Sequence, residues 1–254
     1  MYEQVCYQKS FLKQVIARID LAAPIDKLDK GPPTPLLSAI IKDFSIVEPA
    51  DLVVQQIAVN AASVQHSQTS TKQWNFFSKE RDRQLVLAPQ VMFVQYSKYN
   101  TYEEVKRQFA AAIEAMNTAF PGTVASRFGL RYINQIDHAV SNPLNWSEFI
   151  NNHLISGLAF YTPDDTLTRV VSIAELKCGD LAVRFQYGMP NPDHPAPIKR
   201  PFFILDIDAS ISEAHELTKT IDYMDQAHSC IQRLFEKSIT ENLRRVMNAR
   251  PIQQ

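Results

Sequence analysis

Phe128-Gly129-Leu130-Arg131-Tyr132-Ile133-Asn134 is the stretch on which the fold turns. In the run from Arg127 to Asp137, Phe128, Leu130, Tyr132 and Ile136 share one side of an extended chain, and Arg127, Arg131, Gln135 and Asp137 share the other. That period of two is the signature of a strand with one buried face. Gln14-Val15-Ile16-Ala17-Arg18-Ile19-Asp20, in the first half of the chain, reads the same way. Val15, Ala17, Ile19 and Leu21 alternate with Gln14, Ile16, Arg18 and Asp20, and Arg18 takes the place of Arg131.

The elements that follow repeat in order. In the first half, Ala22–Thr34 holds Pro24, Gly31, Pro32 and Pro33 and reads as a loop; Thr34-Pro35 then opens a short helix bearing Leu36, Ile40, Ile41 and Phe44. A strand is expected at Leu52–Asn60, a polar loop at Ser63–Thr71, and a hairpin of Gln73–Ser78 with Gln84–Tyr96, Pro89 marking a bulge or edge. Thr101-Tyr102-Glu103-Glu104 is a capping box for a helix striped by Val105, Phe109, Ile113, Met116 and Phe120, which Gly122 would end. In the second half, Asn145 caps a short helix with Phe149, Ile150 and Leu154. Strands Arg169–Cys178 and Leu181–Gly188 meet at a tight Gly179-Asp180 turn, Pro190–Pro197 is a loop, Arg200–Ala209 is the last strand, and 219–248 forms the longest helix.

The expected fold is therefore α+β: a duplicated β-α-β-β-β-α unit, residues 1–120 and 121–254, fused into one structural domain. Hairpin connections predict one curved antiparallel sheet with helices on one face. The sheet would be saddle-like, as in the TATA-binding-protein class, or closed into a wide barrel, as in the triphosphate-tunnel class; both are analogies of topology.

Composition narrows the function classes. The net charge is −1, with 13 basic and 12 acidic residues in positions 1–120 and 13 and 15 after them, so neither half has the positive excess that drives nucleic-acid binding. Nine of the thirteen basic residues in the second half are Arg, against four in the first, and Arg suits carboxylate or phosphate in a confined site. Cys6, Cys178 and Cys230 form no CxxC and no disulfide framework, which predicts a reduced, cytoplasmic protein. Glu3, Gln4 and Lys9 interrupt any signal-like apolar run, and no stretch reaches the roughly 20 apolar residues of a membrane span.

The chemistry-bearing residues sort by parity. Leu181, Val183, Phe185 and Tyr187 oppose Arg184 and Gln186; Phe203, Leu205 and Ile207 oppose Asp206 and Asp208; Glu175 and Lys177 are two apart on their own strand. If helices cover the apolar sides, then Arg18, Arg127, Arg131, Glu175, Lys177, Arg184, Asp206 and Asp208 meet on the uncovered face. The cations would hold an anion or an acidic partner; the carboxylates would hold a cation or basic groups. The competing reading is a solvated face of mixed sign, which is ordinary for such a sheet. Two carboxylates on one strand face repel unless compensated, and the neighbouring cations offer that compensation, so no metal and no cofactor are expected. Because Arg131 lies opposite the apolar side, Arg131→Ala should cost little stability.

Other motifs are quieter. Trp74 and Phe76 read as core rather than as a base-stacking platform. His66, His138, His153, His194, His215 and His228 lack metal-ligand spacing, and His228 falls on the apolar side of the last helix as a hydrogen-bonded core residue. There is no GxSxG and no Gly-rich phosphate loop, so no catalytic residue is assigned. Arg244-Arg245 suit the negative end of a helix, and the C-terminal part of that helix could form a homodimer seam.

Trp74-Asn75-Phe76, Tyr99-Asn100-Thr101-Tyr102-Glu103-Glu104, Phe128–Asn134, Leu205-Asp206-Ile207-Asp208 and Leu234-Phe235-Glu236-Lys237-Ser238-Ile239-Thr240 carry a resemblance. From roughly residue 10 to 248 the chain resembles a sporadically distributed, uncharacterised family of bacterial proteins of about this length; Gly-Leu-Arg-Tyr-Ile-Asn is the most specific piece. The resemblance implies a bacterial or phage origin and brings no activity, cofactor or site residue.

The expectation is a non-enzymatic binding or interaction protein from a bacterial defence or mobile-element system, taking a protein partner or an anionic ligand; net charge does not support nucleic acid. The alternative is an enzyme acting on a phosphorylated or nucleotide substrate in a polar tunnel. Such tunnel enzymes carry several acidic residues alternating on the first strand, whereas Ile16-Ala17-Arg18-Ile19-Asp20 has one carboxylate.

Overall fold

A computed structural model describes residues 5–59, 64–138, 142–162 and 164–251. The element order is β1 (Val5–Tyr7), β2 (Leu12–Leu21), α1 (Thr34–Ile40), β3 (Ile46–Val59), β4 (Val64–Phe77), β5 (Arg83–Ala88), β6 (Val91–Tyr96) and α2 (Tyr102–Ala119). Then come β7 (Val124–Ile136), α3 (Asn152–Ile155), β8 (Val170–Cys178), β9 (Leu181–Met189), β10 (Phe203–Ile211), β11 (His215–Glu216), α4 (Thr220–Ser238), α5 (Glu241–Met247) and β12 (Ala249–Pro251). The class is α+β, with one antiparallel ten-stranded sheet ordered β3-β4-β5-β6-β2-β7-β10-β9-β8 and β11 added to β7; β1 and β12 pair separately.

β2 and β7, the two strands that share the sequence pattern, pair antiparallel at the centre, with Ala17 opposite Leu130 and Ile16 opposite Arg131. The halves thus share one sheet. The sheet is open: β3 and β8 are its outer strands and do not pair with each other, so the wide-barrel alternative is overturned. Buried Val15, Ala17, Ile19, Phe128, Leu130, Leu205 and Ile207 form the covered side, against Phe109, Ile113 and Met116 of α2 and Met224, Ala227 and Ile231 of α4. The Phe109 and Phe128 rings lie 6.2 Å apart.

Several expected boundaries are corrected. Gln84–Tyr96 is two strands, because Pro89-Gln90 turns the chain back and pairs Ala88 with Val91. From β2 the first half therefore reads β-α-β-β-β-β-α, with four strands rather than three between its helices. The polar loop expected at Ser63–Thr71 is strand from Val64 onward (60–63 lie outside the described residues), because β3 supplies a continuous ladder partner from Ile46–Phe77 to Val59–Val64. Asn145 caps no helix: its carboxamide accepts from Ser147 N at 3.2 Å, and the short helix starts at Asn152, capped by Asn151. The expected 219–248 helix breaks at Ile239, and Thr240 Oγ1 caps α5 by accepting from Leu243 N. Leu243 and Met247 are buried within the chain, which takes the apolar groups of the expected dimer seam out of reach. Thr101 caps α2 as expected, accepting from Glu104 N at 3.2 Å.

β3 and β4 form an arm. β4 pairs with β5 only from Trp74 to Phe77. The ten further pairs, Ala50–Gln73 to Val59–Val64, continue past the sheet for about 30 Å at strand rise. A 3-10 turn at Asp26–Asp29 braces the base. There Asp29 accepts from Thr71 Oγ1 at 2.7 Å and Lys72 N at 2.9 Å, and Trp74 Nε1 donates to the Leu28 carbonyl at 2.7 Å. The Lys72 amide, then the Thr71 hydroxyl, hold the Asp29 carboxyl below its ordinary value.

Candidate functional site

Register decides which polar side chains meet. On the side away from α2 and α4, Asp208 stands between Arg131 and Arg184, Asp206 between Ile133 and Gln186, and Glu175 opposite Arg184. Arg18 stands opposite Gly129, and Asp20 opposite Arg127. Parity places all eight expected residues on this face.

Five of them, Arg18, Arg127, Arg131, Asp206 and Asp208, form ion pairs at its centre. Arg131 donates from Nε to Asp206 Oδ1 at 2.8 Å and from Nη2 to Oδ2 at 2.6 Å. Arg127 lies 3.6 Å from Asp20 and 3.9 Å from Asp208, and Arg18 Nε donates to Asp20 at 2.9 Å. Arg184 Nη2 donates to Gln186 at 3.0 Å. Gly129 makes the room: a Cβ there would come within 3.0 Å of the Arg127 guanidinium nitrogens, which lie over it. Glu175 and Lys177, on strand β8, have no hydrogen bond or ion pair among the described residues.

The electrostatics follow burial. The Asp206 side chain is only 7% exposed, while Arg131 keeps 39% of its own. The hydrogen bond to Asp206 holds the Arg131 guanidinium more firmly protonated than an isolated one. Burial pushes the Asp208 carboxyl above its ordinary value; Arg127, Arg131 and Arg184 pull it down and Asp206 pushes it up, and the rise wins. The folded state therefore binds more protons than the unfolded chain just above the ordinary carboxylate range, and Asp208 costs stability as pH rises through that window. Asp208→Asn is expected to raise stability at pH 7 and to lose that advantage near pH 3, where the native carboxyl is protonated in both states. Urea denaturation at the two pH values checks this; a variant less stable than wild type at pH 7 would make Asp208 a net contributor.

The sequence reading missed a second constellation, on the helix side. The Tyr102 ring stacks on His228 with centroids 3.7 Å apart and planes within 2°, and Tyr132 Oη lies 3.0 Å from His228 Nδ1. Tyr102 Oη and Lys106 Nζ donate to Asp225 at 2.6 and 2.7 Å. Burial drives the His228 imidazole down to about 4. A cavity of about 290 Å³ opens beside these groups, and one of about 500 Å³ lies further along α4 at Cys178, Cys230 and Arg233. Neither is lined by the open-face residues. The only sequence signal was the parity of Tyr132 and His228, both on apolar sides. Among the described residues no group of three or more His, Cys, Asp or Glu is placed to hold a metal ion, and no helix is long and apolar enough to cross a membrane.

Comparison with protein-family models and with curated proteins finds no match to this chain.

Proposed function

We propose that the chain is a non-catalytic interaction protein that takes an extended segment of a protein partner along the outer edge of the β3–β4 arm. The carrying observation is β3 itself. It is an outer strand of the sheet, and among the described residues its fourteen positions are paired on one side only. Leu52-Val53-Val54-Gln55-Gln56-Ile57-Ala58-Val59 has no charge, proline or glycine. Unprotected edges of this composition pair with other chains unless something covers them. A two-stranded ribbon is also marginal alone, and strand addition gives β3 a second ladder.

The open face contributes in a supporting role. Arg18, Arg127 and Arg131 are already paired with aspartates and Arg184 donates to Gln186, so an anion would have to displace an existing partner rather than fill a vacancy. That disfavours anion binding as the main activity and suits complementary contacts with a mixed-charge protein surface. The tunnel-enzyme alternative has no closed barrel to work in. An internal duplication belongs to the same proposal, supported by the central pairing of β2 with β7; so do the bacterial origin and the defence or mobile-element setting, which the identity of neighbouring genes tests.

Proline supplies the experiment. Pro49 pairs with Trp74 yet has no N–H to give β4, so its position faces the outer edge, and alternation puts the Val53 N–H on that edge too. Val53→Pro therefore removes an outward donor and leaves the β3–β4 ladder in place. Tagged wild type and Val53→Pro are compared in the native cell, and their self-association is followed by sedimentation. A specific partner, or a second copy, lost by at least about tenfold on substitution supports the proposal. Partners retained equally by both chains, with both sedimenting alike, overturn it.

A further inference from the structure

Cys178 closes strand β8, and the Gly179-Asp180 turn follows it directly. Its parity turns the sulfur toward α4, where Cys230 is buried against the sheet. One guanidinium nitrogen bridges them: Arg233 Nη2 donates to Cys178 Sγ at 2.9 Å and lies 3.9 Å from Cys230 Sγ. Both sulfurs thus flank the same nitrogen. Cys178 is half-exposed and borders the cavity of about 500 Å³, with Ser229 and Gln226 beside it. The sequence placed these cysteines fifty-two positions apart with no motif between them; only the packing of the hairpin on α4 makes them neighbours.

We propose that Cys178 and Cys230 are a peroxide-reactive dithiol that closes to an intramolecular disulfide, fastening the β8–β9 turn to α4. The roles divide by environment. Cys178 has solvent access for the oxidant and a hydrogen bond from Arg233 that positions its sulfur. Cys230 is the resolving thiol: burial, then the hydrogen bond to Cys178, pushes it up to about 12, so it keeps its proton until the second step. In the first step the Cys178 sulfur attacks one oxygen of a hydroperoxide. The O–O bond breaks, the distal oxygen leaves and is protonated to water (or to an alcohol, from an organic peroxide), and a sulfenic acid remains. In the second step the Cys230 sulfur attacks that sulfenic sulfur. The S–S bond forms, the S–O bond breaks, and the hydroxyl departs with the Cys230 proton as water. Two thiols lose two electrons and one peroxide gains them.

Arg233 is the positioning residue. Closing the disulfide would withdraw the sulfur that accepts its hydrogen bond and free the guanidinium to face the cavity. Oxidation would thus change the charge pattern of a surface on the side opposite the open face.

The test uses the full chain with Cys6→Ser, so that two thiols remain. It is treated with hydrogen peroxide, then read by intact mass and by peptide mapping without reductant. The expected product is a monomer lighter by two hydrogens, with Cys178 and Cys230 peptides joined and the link reversed by dithiothreitol. Adding Cys230→Ser should leave a dimedone-reactive sulfenic acid on Cys178. Arg233→Ala should slow the oxidation of the wild-type pair by about tenfold, with Arg233→Lys between the two. Crosslinks between chains, sulfinic acid on Cys178 with Cys230 still free to alkylate, or two unmodified thiols after treatment would each overturn the proposal.

Discussion

Arg131→Ala is expected to destabilise the fold by about 2–3 kcal/mol, although Arg131 lies on the uncovered side of its strand. Parity alone predicts a small effect, since little packing is lost. What decides it is the partner. Asp206 is 7% exposed, and both of its carboxylate oxygens accept from Arg131. Truncating the arginine leaves a nearly buried carboxylate without its cation, and the cost is that of the stranded charge rather than of the missing side chain. Arg127 pairs with Asp20 and Asp208 and cannot take over without abandoning them. Asp206→Ala in the same chain should therefore recover most of the loss, because no buried charge is left. Arg131→Lys should fall between, since an ammonium cannot make both bonds in the planar fork. Urea denaturation of wild type, Arg131→Ala, Asp206→Ala and the double variant measures the coupling. Additive losses would show that the two residues contribute separately and that the network is a surface coincidence. A strong coupling would mean that an anion on this face has to compete with Asp206 for the Arg131 guanidinium.

Parity is the part of this site that a sequence can carry. Alternation fixes which side chains leave the same face of one strand, so the polar side of β7 and β10 was readable from Phe128–Asn134 and from Asp206 and Asp208. Register and strand order are not readable that way. Asp208, not Asp206, stands directly opposite Arg131, yet the guanidinium reaches diagonally to Asp206; the choice depends on burial and on Arg127 lying over Gly129. The arm was illegible for a related reason. Residues 64–71 are rich in Ser, Gln and Thr and look like a loop, but their strand character comes from eight ladder pairs with β3, Leu52–Thr71 to Val59–Val64. At Pro89 the chain offered a breaker, and bulge and turn leave similar signals; the turn won because β5 and β6 then both bury apolar sides, Leu85 and Leu87 beside Met92 and Val94. The break at Ile239 was hidden because α5 keeps burying residues, Leu243 and Met247, at helical spacing.

Lowering the pH from 7 to about 4.5 should cost the wild-type protein about 2–3 kcal/mol through His228 alone. The imidazole falls from an ordinary 6.5 to about 4 on folding, chiefly because it is buried between Tyr102 and Tyr132, with Glu103 and Asp225 only partly offsetting this. Between those two values the unfolded chain takes up a proton that the folded chain refuses, so stability is full above pH 6.5 and drains away as pH falls. The loss stays below that of the full shift because the ring retains partial solvent contact. His228→Gln should remove this pH-dependent loss while lowering stability at pH 7, since the stacking on Tyr102 goes with the ring. The carboxylates do not mimic the effect in this window. Burial pushes Asp225 up, but its bonds from Lys106 and Tyr102 hold it below the ordinary value, so its own contribution is lost only at lower pH. Parallel stability curves for the two chains between pH 7 and 4.5 would show that His228 titrates freely. The consequence for function is direct. An imidazole that stays neutral to about pH 4, with Nδ1 engaged by Tyr132 and its face covered by Tyr102, offers no cation at neutral pH. The α2–α4 cluster then reads as a clamp that holds two helices in register over the sheet.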